Sequence, residues 1–213
     1  MRNVHMERSA GYSGIAFVLA VIANVAVIGF PPSTAPAAVL TYYVAHQNGV
    51  LVGSWLGLVA SGFILWFASG LNDFLRDPDG REATLLRWGF AGVLLGNALV
   101  VFGDAAQILM VYHPIAAALG SSLSDAANVL PAMAGMPFAW WIWAVCNSAR
   151  RQGRWPAWLI WLGFLAAALQ AAVSLVGLFP AAPLLFVFGQ GIVTLLWVLL
   201  ASILLIRTPE VSS

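Results

Sequence analysis

Asp104, in the stretch "FGDAAQILMVYHP" (102–114), is the residue of greatest chemical promise. Its neighbours suit hydrocarbon. A carboxylate facing lipid there would cost ~3 kcal/mol or more, so it is expected to turn into the protein, and a buried ionisable group in a membrane segment is functional by default. Asn97 falls on nearly the same helical face, and Gln107 lies about 60° round from it, so the three form one polar stripe.

Other apolar segments carry polar groups at a similar depth. Asn24, Ser54, Ser61, Asp125, Asn128, Gln170 with Ser174, and Gln190 with Thr194 are the set. Brought together, Asn24, Asn97, Asp104, Gln107, Asn128, Gln170 and Gln190 would line an outward-facing polar cavity able to bind or transport a small molecule or ion. The plainer account of the amides and hydroxyls is hydrogen bonding between helices, worth less than ~2 kcal/mol each.

Chemistry beyond this is scarce. His46 and His113, near Tyr42, Tyr43 and Tyr112, match no metal-ligand spacing. Three histidines are too few for a bis-haem bundle, and one cysteine, Cys146, rules out an intrachain disulfide. There is no lysine for a Schiff base, no nucleophile elbow, no H-E-x-x-H and no phosphate-binding loop. Ser121, Ser122 and Ser124 read as a polar helix entry. No catalytic residue, metal or cofactor is assigned. Two alternatives stand beside the binding reading: an accessory or scaffold subunit without its own ligand, and an intramembrane enzyme using Asp104 and Asp125 as an acid/base pair.

The elements that must position Asp104 follow from composition. The 213-residue chain is 62% hydrophobic and 8% charged, with net charge +1, and its mean hydropathy is +0.91. Such a chain lacks the polar surface of a soluble domain, and its near-neutral charge excludes nucleic acid as a partner. Six apolar segments are read, at Tyr12–Phe30, Gly49–Gly70, Leu86–Met110, Asp125–Asn147, Trp155–Phe179 and Pro183–Ile206. The breaks "FPPSTAP", "RDPDGRE", "YHP", "RRQGRWP" and "FPAAP" are rich in proline and glycine, which stop helices. The segment "NDFLRDPDGREATLLR" reads as a solvated loop.

With six spans, all nine arginines fall on one side, and the positive-inside rule places both termini in the cytoplasm. Trp66, Trp88, Trp140, Trp141, Trp143, Trp155, Trp158 and Trp161 crowd the same side, as an interfacial belt would. The first segment resembles a signal peptide in outline, but it is longer than a usual h-region, and it is expected to be retained. Gly53 with Gly57, and Gly92 with Gly96, predict close helix packing within the chain. Pro131 and Pro137 predict a kink in the fourth span, whose freed carbonyls need partners in the bundle.

At "PFAWWIWAVCNSARRQGRWPAWLIWLGFLAAALQ" (137–170) a span runs into a short basic turn, and Arg154–Leu159 lead the next. This arrangement resembles small uncharacterised bacterial six-span integral membrane proteins. The resemblance implies a location in the cytoplasmic membrane and carries no catalytic residue with it. The expected architecture is all-α: one transmembrane domain over residues 1–213, a bundle of six helices with N and C termini cytoplasmic. Its expected partners are the lipid bilayer, a small-molecule ligand, and a membrane protein or second copy of the chain.

Overall fold

The computed structural model describes residues 4–29, 36–76, 79–80, 82–112, 117–176 and 184–207. They form eight α-helices and, among the described residues, no strand: α1 (Val4–Ile28), α2 (Pro36–Ala45), α3 (Gln47–Phe74), α4 (Ala83–Tyr112), α5 (Ala117–Met133), α6 (Gly135–Gln152), α7 (Ala157–Val176) and α8 (Leu184–Arg207). Five stretches are long and apolar enough to cross a membrane: Met6–Ile28, Gln47–Phe74, Ala83–Tyr112, Ser122–Gln152 and Ala157–Leu175. The sixth expected crossing corresponds to α8, where the apolar stretch Gly191–Arg207 is shorter. The fold is that of an all-α, multi-pass membrane protein. His113, Arg2, Arg81, both proline-rich turns and the side chain of Gln190 lie outside the described residues.

The long helices close into a ring in chain order. α1 packs on α3, α3 on α4, α4 on α5 and α6, α6 on α7, α7 on α8, and α8 returns to α1. The closure is tight because Gly11 and Gly14 present bare backbone to Ser202, Leu205 and Ile206. Gly92 and Gly96 do the same for α4 against Ala134, Pro137 and Phe138. The predicted pair Gly92 and Gly96 thus serves packing within the chain.

One end of the ring gathers the arginines. Gly11 meets Ile206 and Gly70 meets Ala10, so the start of α1 lies beside the ends of α3 and α8. Asn72 Nδ2 donates to the Leu86 carbonyl at 3.5 Å, and Gln152 Nε2 donates to the Leu75 carbonyl at 2.5 Å. Arg154 Nη1 donates to the Phe74 carbonyl, with its guanidinium over the Phe74 ring. Hence Arg8, Arg76, Arg87, Arg150, Arg151, Arg154 and Arg207, which are all the described arginines, share this end.

The core is asymmetric. Near the arginine end, Phe67, Trp141, Trp155 and Trp197 form a chain of edge-on ring contacts within the main apolar cluster. Trp141 and Trp155, expected in the interfacial belt, are therefore buried, whereas Trp66, Trp88, Trp140, Trp143, Trp158 and Trp161 remain exposed. The far end holds a smaller cluster of Val39, Tyr43, Val50, Ala106, Met110 and Ala127. Residues 36–45, absent from the six predicted segments, supply two of these six residues. They form α2, whose Val39 and Tyr43 are one helical turn apart and face inward. Tyr42 pins α2 by donating to the Ile28 carbonyl at 3.0 Å. Burial and the neighbouring Tyr42 push the Tyr43 phenol above its ordinary pKa.

The predicted kink is resolved into two helices. α5 begins before the serines thought to open it, and its hand-over to α6 comes at Ala134. Pro137 has no amide proton for the Met133 carbonyl, and Ser174 of α7 enters the gap. Its hydroxyl donates to the Ala132 carbonyl at 2.9 Å and accepts from the Met136 amide at 2.6 Å. One side chain thus splices a rung of the helical ladder. Gly135 admits it, lying against the Gln170 carbonyl with no side chain of its own.

The segment expected as a solvated loop is solvated in part: Asp73, Arg76, Asp79, Thr84 and Arg87 are exposed, but its apolar residues and Glu82 are not. Phe74, Leu75, Glu82, Ala83 and Leu86 are buried. Glu82 accepts from Ser148 Oγ at 2.9 Å and from Arg151 Nη1 at 3.2 Å, so the α3–α4 turn is tied to the end of α6. Ser148 is wholly buried. Glu82→Ala would strip its hydroxyl of its acidic partner, a loss of roughly 1–3 kcal/mol. We expect a lowered unfolding midpoint in detergent, largely restored by Glu82→Gln, whose amide oxygen can still accept from Ser148. An unchanged midpoint for Glu82→Ala would show that the tie is slack.

Candidate functional site

Asp104 lies on α4 one position after Gly103, which packs on Pro131 of α5. A further 100° round the helix turns Asp104 from α5 toward α3. Its Oδ2 lies 2.6 Å from where a Cβ on Gly57 would stand, and Asn24 Nδ2 lies 3.2 Å from the same point. The absent side chain of Gly57 therefore makes room where α1, α3 and α4 converge. Asn24 Nδ2 donates to the Gly53 carbonyl at 2.7 Å, which fixes its amide against α3. Asp104 is half-buried, and no described side chain hydrogen-bonds to it.

The six predicted site residues whose side chains are described do not gather into one set. Asp104 and Asn24 meet at Gly57. Asn97 and Gln107 share α4 with Asp104 and are half-buried; Gln107 Oε1 is fully enclosed and has no partner among the described residues. Gln170 is engaged elsewhere, donating to Thr194 Oγ1 at 3.0 Å and joining α7 to α8. Asn128 is exposed and donates to the Ser124 carbonyl of its own helix at 2.7 Å. Asp125 is exposed on α5, and no described contact joins it to Asp104.

α2 adds a feature that the residue pattern did not signal. It packs across α4 and α5 and touches α3, and Met110 and Ala106, just beyond Asp104 on α4, belong to the cluster it covers. Beside it, at the turn into α3, is a cavity of about 320 Å³ edged by Val27, Val44, His46, Gln47 and Asn48. His46 stacks on Tyr42 with ring centroids 4.1 Å apart, and its Nδ1 donates to the Tyr42 carbonyl at 2.9 Å. Among the described residues no three histidine, cysteine or acidic side chains come together as a metal site would require.

Gly57 is the site residue that sequence reasoning cast in another role. Its spacing from Gly53 signalled helix packing, and Gly53 does pack on Ile28 of α1. Clearance for a carboxylate needs the register between α3 and α4, which spacing within one helix does not contain. Comparison with protein-family models, curated proteins and solved structures gives no match for this chain.

Proposed function

We propose that the chain is a six-span protein of the cytoplasmic membrane, with both termini cytoplasmic, that binds or transports a small molecule or ion at Asp104. The observation carrying this reading is the space kept by Gly57, where the Asp104 carboxylate and Asn24 amide converge. A carboxylate with free acceptor positions in a largely apolar bundle favours a small cation or protonated amine over an anion. Access from the outer side would pass α2. The collection of all described arginines at one end supports the orientation.

The test is Asp104→Asn in the full chain, reconstituted in lipid nanodiscs and examined by thermal shift against a panel of small ammonium and alkali cations. The amide is nearly isosteric, so the fold should persist and the wild-type shift should vanish. Gly57→Ala should have the same effect, because its methyl would displace Oδ2. Equal shifts in wild type and both variants would overturn the assignment.

One observation favours the accessory-subunit reading: Gln170, Ser174 and Thr194 use their polar groups to join helices. That reading expects Asp104→Asn to be silent and a fixed stoichiometry with another membrane protein on gentle extraction.

A further inference from the structure

A second cavity lies at the arginine end, away from Asp104. A cavity of about 220 Å³ opens between the end of α3 and the start of α4, with Asn72, Asp73, Arg76, Leu86, Arg87 and Phe90 on its walls. The arginines here differ from most others at that end. Arg150, Arg151 and Arg154 bond to Asn147, Glu82 and the Phe74 carbonyl, respectively. Arg76 and Arg87 have no ion pair or hydrogen bond among the described residues. The cavity also presents an acceptor, the exposed carboxylate of Asp73, while Asn72 is turned through its Nδ2 to the Leu86 carbonyl.

We propose that this cavity binds the headgroup of an aminophospholipid. Two guanidiniums suit a phosphodiester, since arginine pairs with phosphate oxygens through parallel N–H donors. The Asp73 carboxylate suits a primary ammonium, which a simple anion site would have no use for. Leu86 and Phe90 supply apolar wall for the glycerol and first methylenes. Trp88, exposed beside Arg87 and tilted against Trp140 with centroids 5.5 Å apart, sets the cavity at the depth of the membrane interface. The volume is below the ~300 Å³ at which drug-sized pockets begin, and suits a headgroup. Basic pockets between membrane helices on the cytoplasmic side are established headgroup sites.

The test uses the full chain in detergent and native mass spectrometry with added dioleoyl phosphatidylethanolamine, phosphatidylcholine or phosphatidylglycerol. Phosphatidylethanolamine should bind on the order of tenfold more tightly than phosphatidylcholine, whose quaternary amine has no proton to donate. Arg76→Gln with Arg87→Gln should remove that binding, and Asp73→Asn should erase the preference over phosphatidylcholine. All variants should keep the wild-type melting temperature, because these side chains support no described helix contact. O-phosphoethanolamine should compete only weakly; full competition by it would make the site one for a soluble phosphoamine and overturn the lipid assignment. Equal binding of ethanolamine and choline lipids, preference for phosphatidylglycerol, or undiminished binding by the double arginine variant would also overturn it. Asp104→Asn should leave the lipid result unchanged, which separates this proposal from the one above.

Discussion

Gly135→Val is expected to lower the unfolding free energy by ~4 kcal/mol or more, enough to lose the folded chain in most detergents. A Cβ at Gly135 would overlap the Gln170 carbonyl oxygen and come within 2.8 Å of Ser174 Oγ. The first obstacle is backbone and cannot rotate aside. α7 would have to retreat, and Ser174 would then leave both the Ala132 carbonyl and the Met136 amide. Two backbone polar groups without partners in an apolar interior add to the steric cost. The matched control is Gly62→Ala, where no atom lies within 4 Å of the new carbon. That change should stabilise α3 by ~0.5–1 kcal/mol, since glycine is a poor helix residue. Thermal unfolding followed by circular dichroism would compare them. A wild-type midpoint for Gly135→Val would mean that the joint is looser than its contacts imply.

Trp197→Ala should cost ~3–5 kcal/mol, the usual penalty for emptying a large buried aromatic site. The indole is fully buried, with ring centroids 5.7 Å from Trp141 and 6.0 Å from Trp155. It also reaches Gly163, where its Nε1 and Cys146 Sγ fill the place a Cβ would take. α6, α7 and α8 therefore lose a shared contact at one stroke. Trp161, 67% exposed, is the comparison, and its alanine variant should fall within about 0.5 kcal/mol of wild type. Chemical unfolding in mixed micelles would measure both. Similar losses at the two positions would show that burial does not govern tryptophan's contribution here.

These two sites mark where a reading from sequence stops. The apolar runs and the arginines between them can be read along the chain, and a helix covers each run, although α1 and α5 begin eight residues earlier than expected and the fourth run is two helices. The need for partners at the Pro131–Pro137 kink was also legible, because a missing amide proton is a fact about proline. That Ser174 would supply the partner was not, since the contact joins residues 38 apart. The charges of both signs around Glu82 predict a solvated side chain. Its burial depends on Ser148 and Arg151, contributed by another hairpin. α2 has no membrane-segment signature in the sequence, because its ten residues are too few to cross a bilayer. For Asp104, its place on an apolar helix pointed inward correctly, toward Asn24. The wider polar set divides because Gln170 and Thr194 face each other across α7 and α8.

The ring in chain order bears on how the protein is made. Each long helix emerging during synthesis finds its main neighbour already present, so almost every interface can form between newly made and preceding segments. Assembly of this kind involves short loop closures and few competing pairings. The exception is the seam between α1 and α8, which waits until the last helix arrives. Gly11 and Gly14 hold that place open with bare backbone. Until α8 docks, the start of α1 exposes a strip with no partner, and a membrane chaperone or neighbouring helix has its best opportunity there.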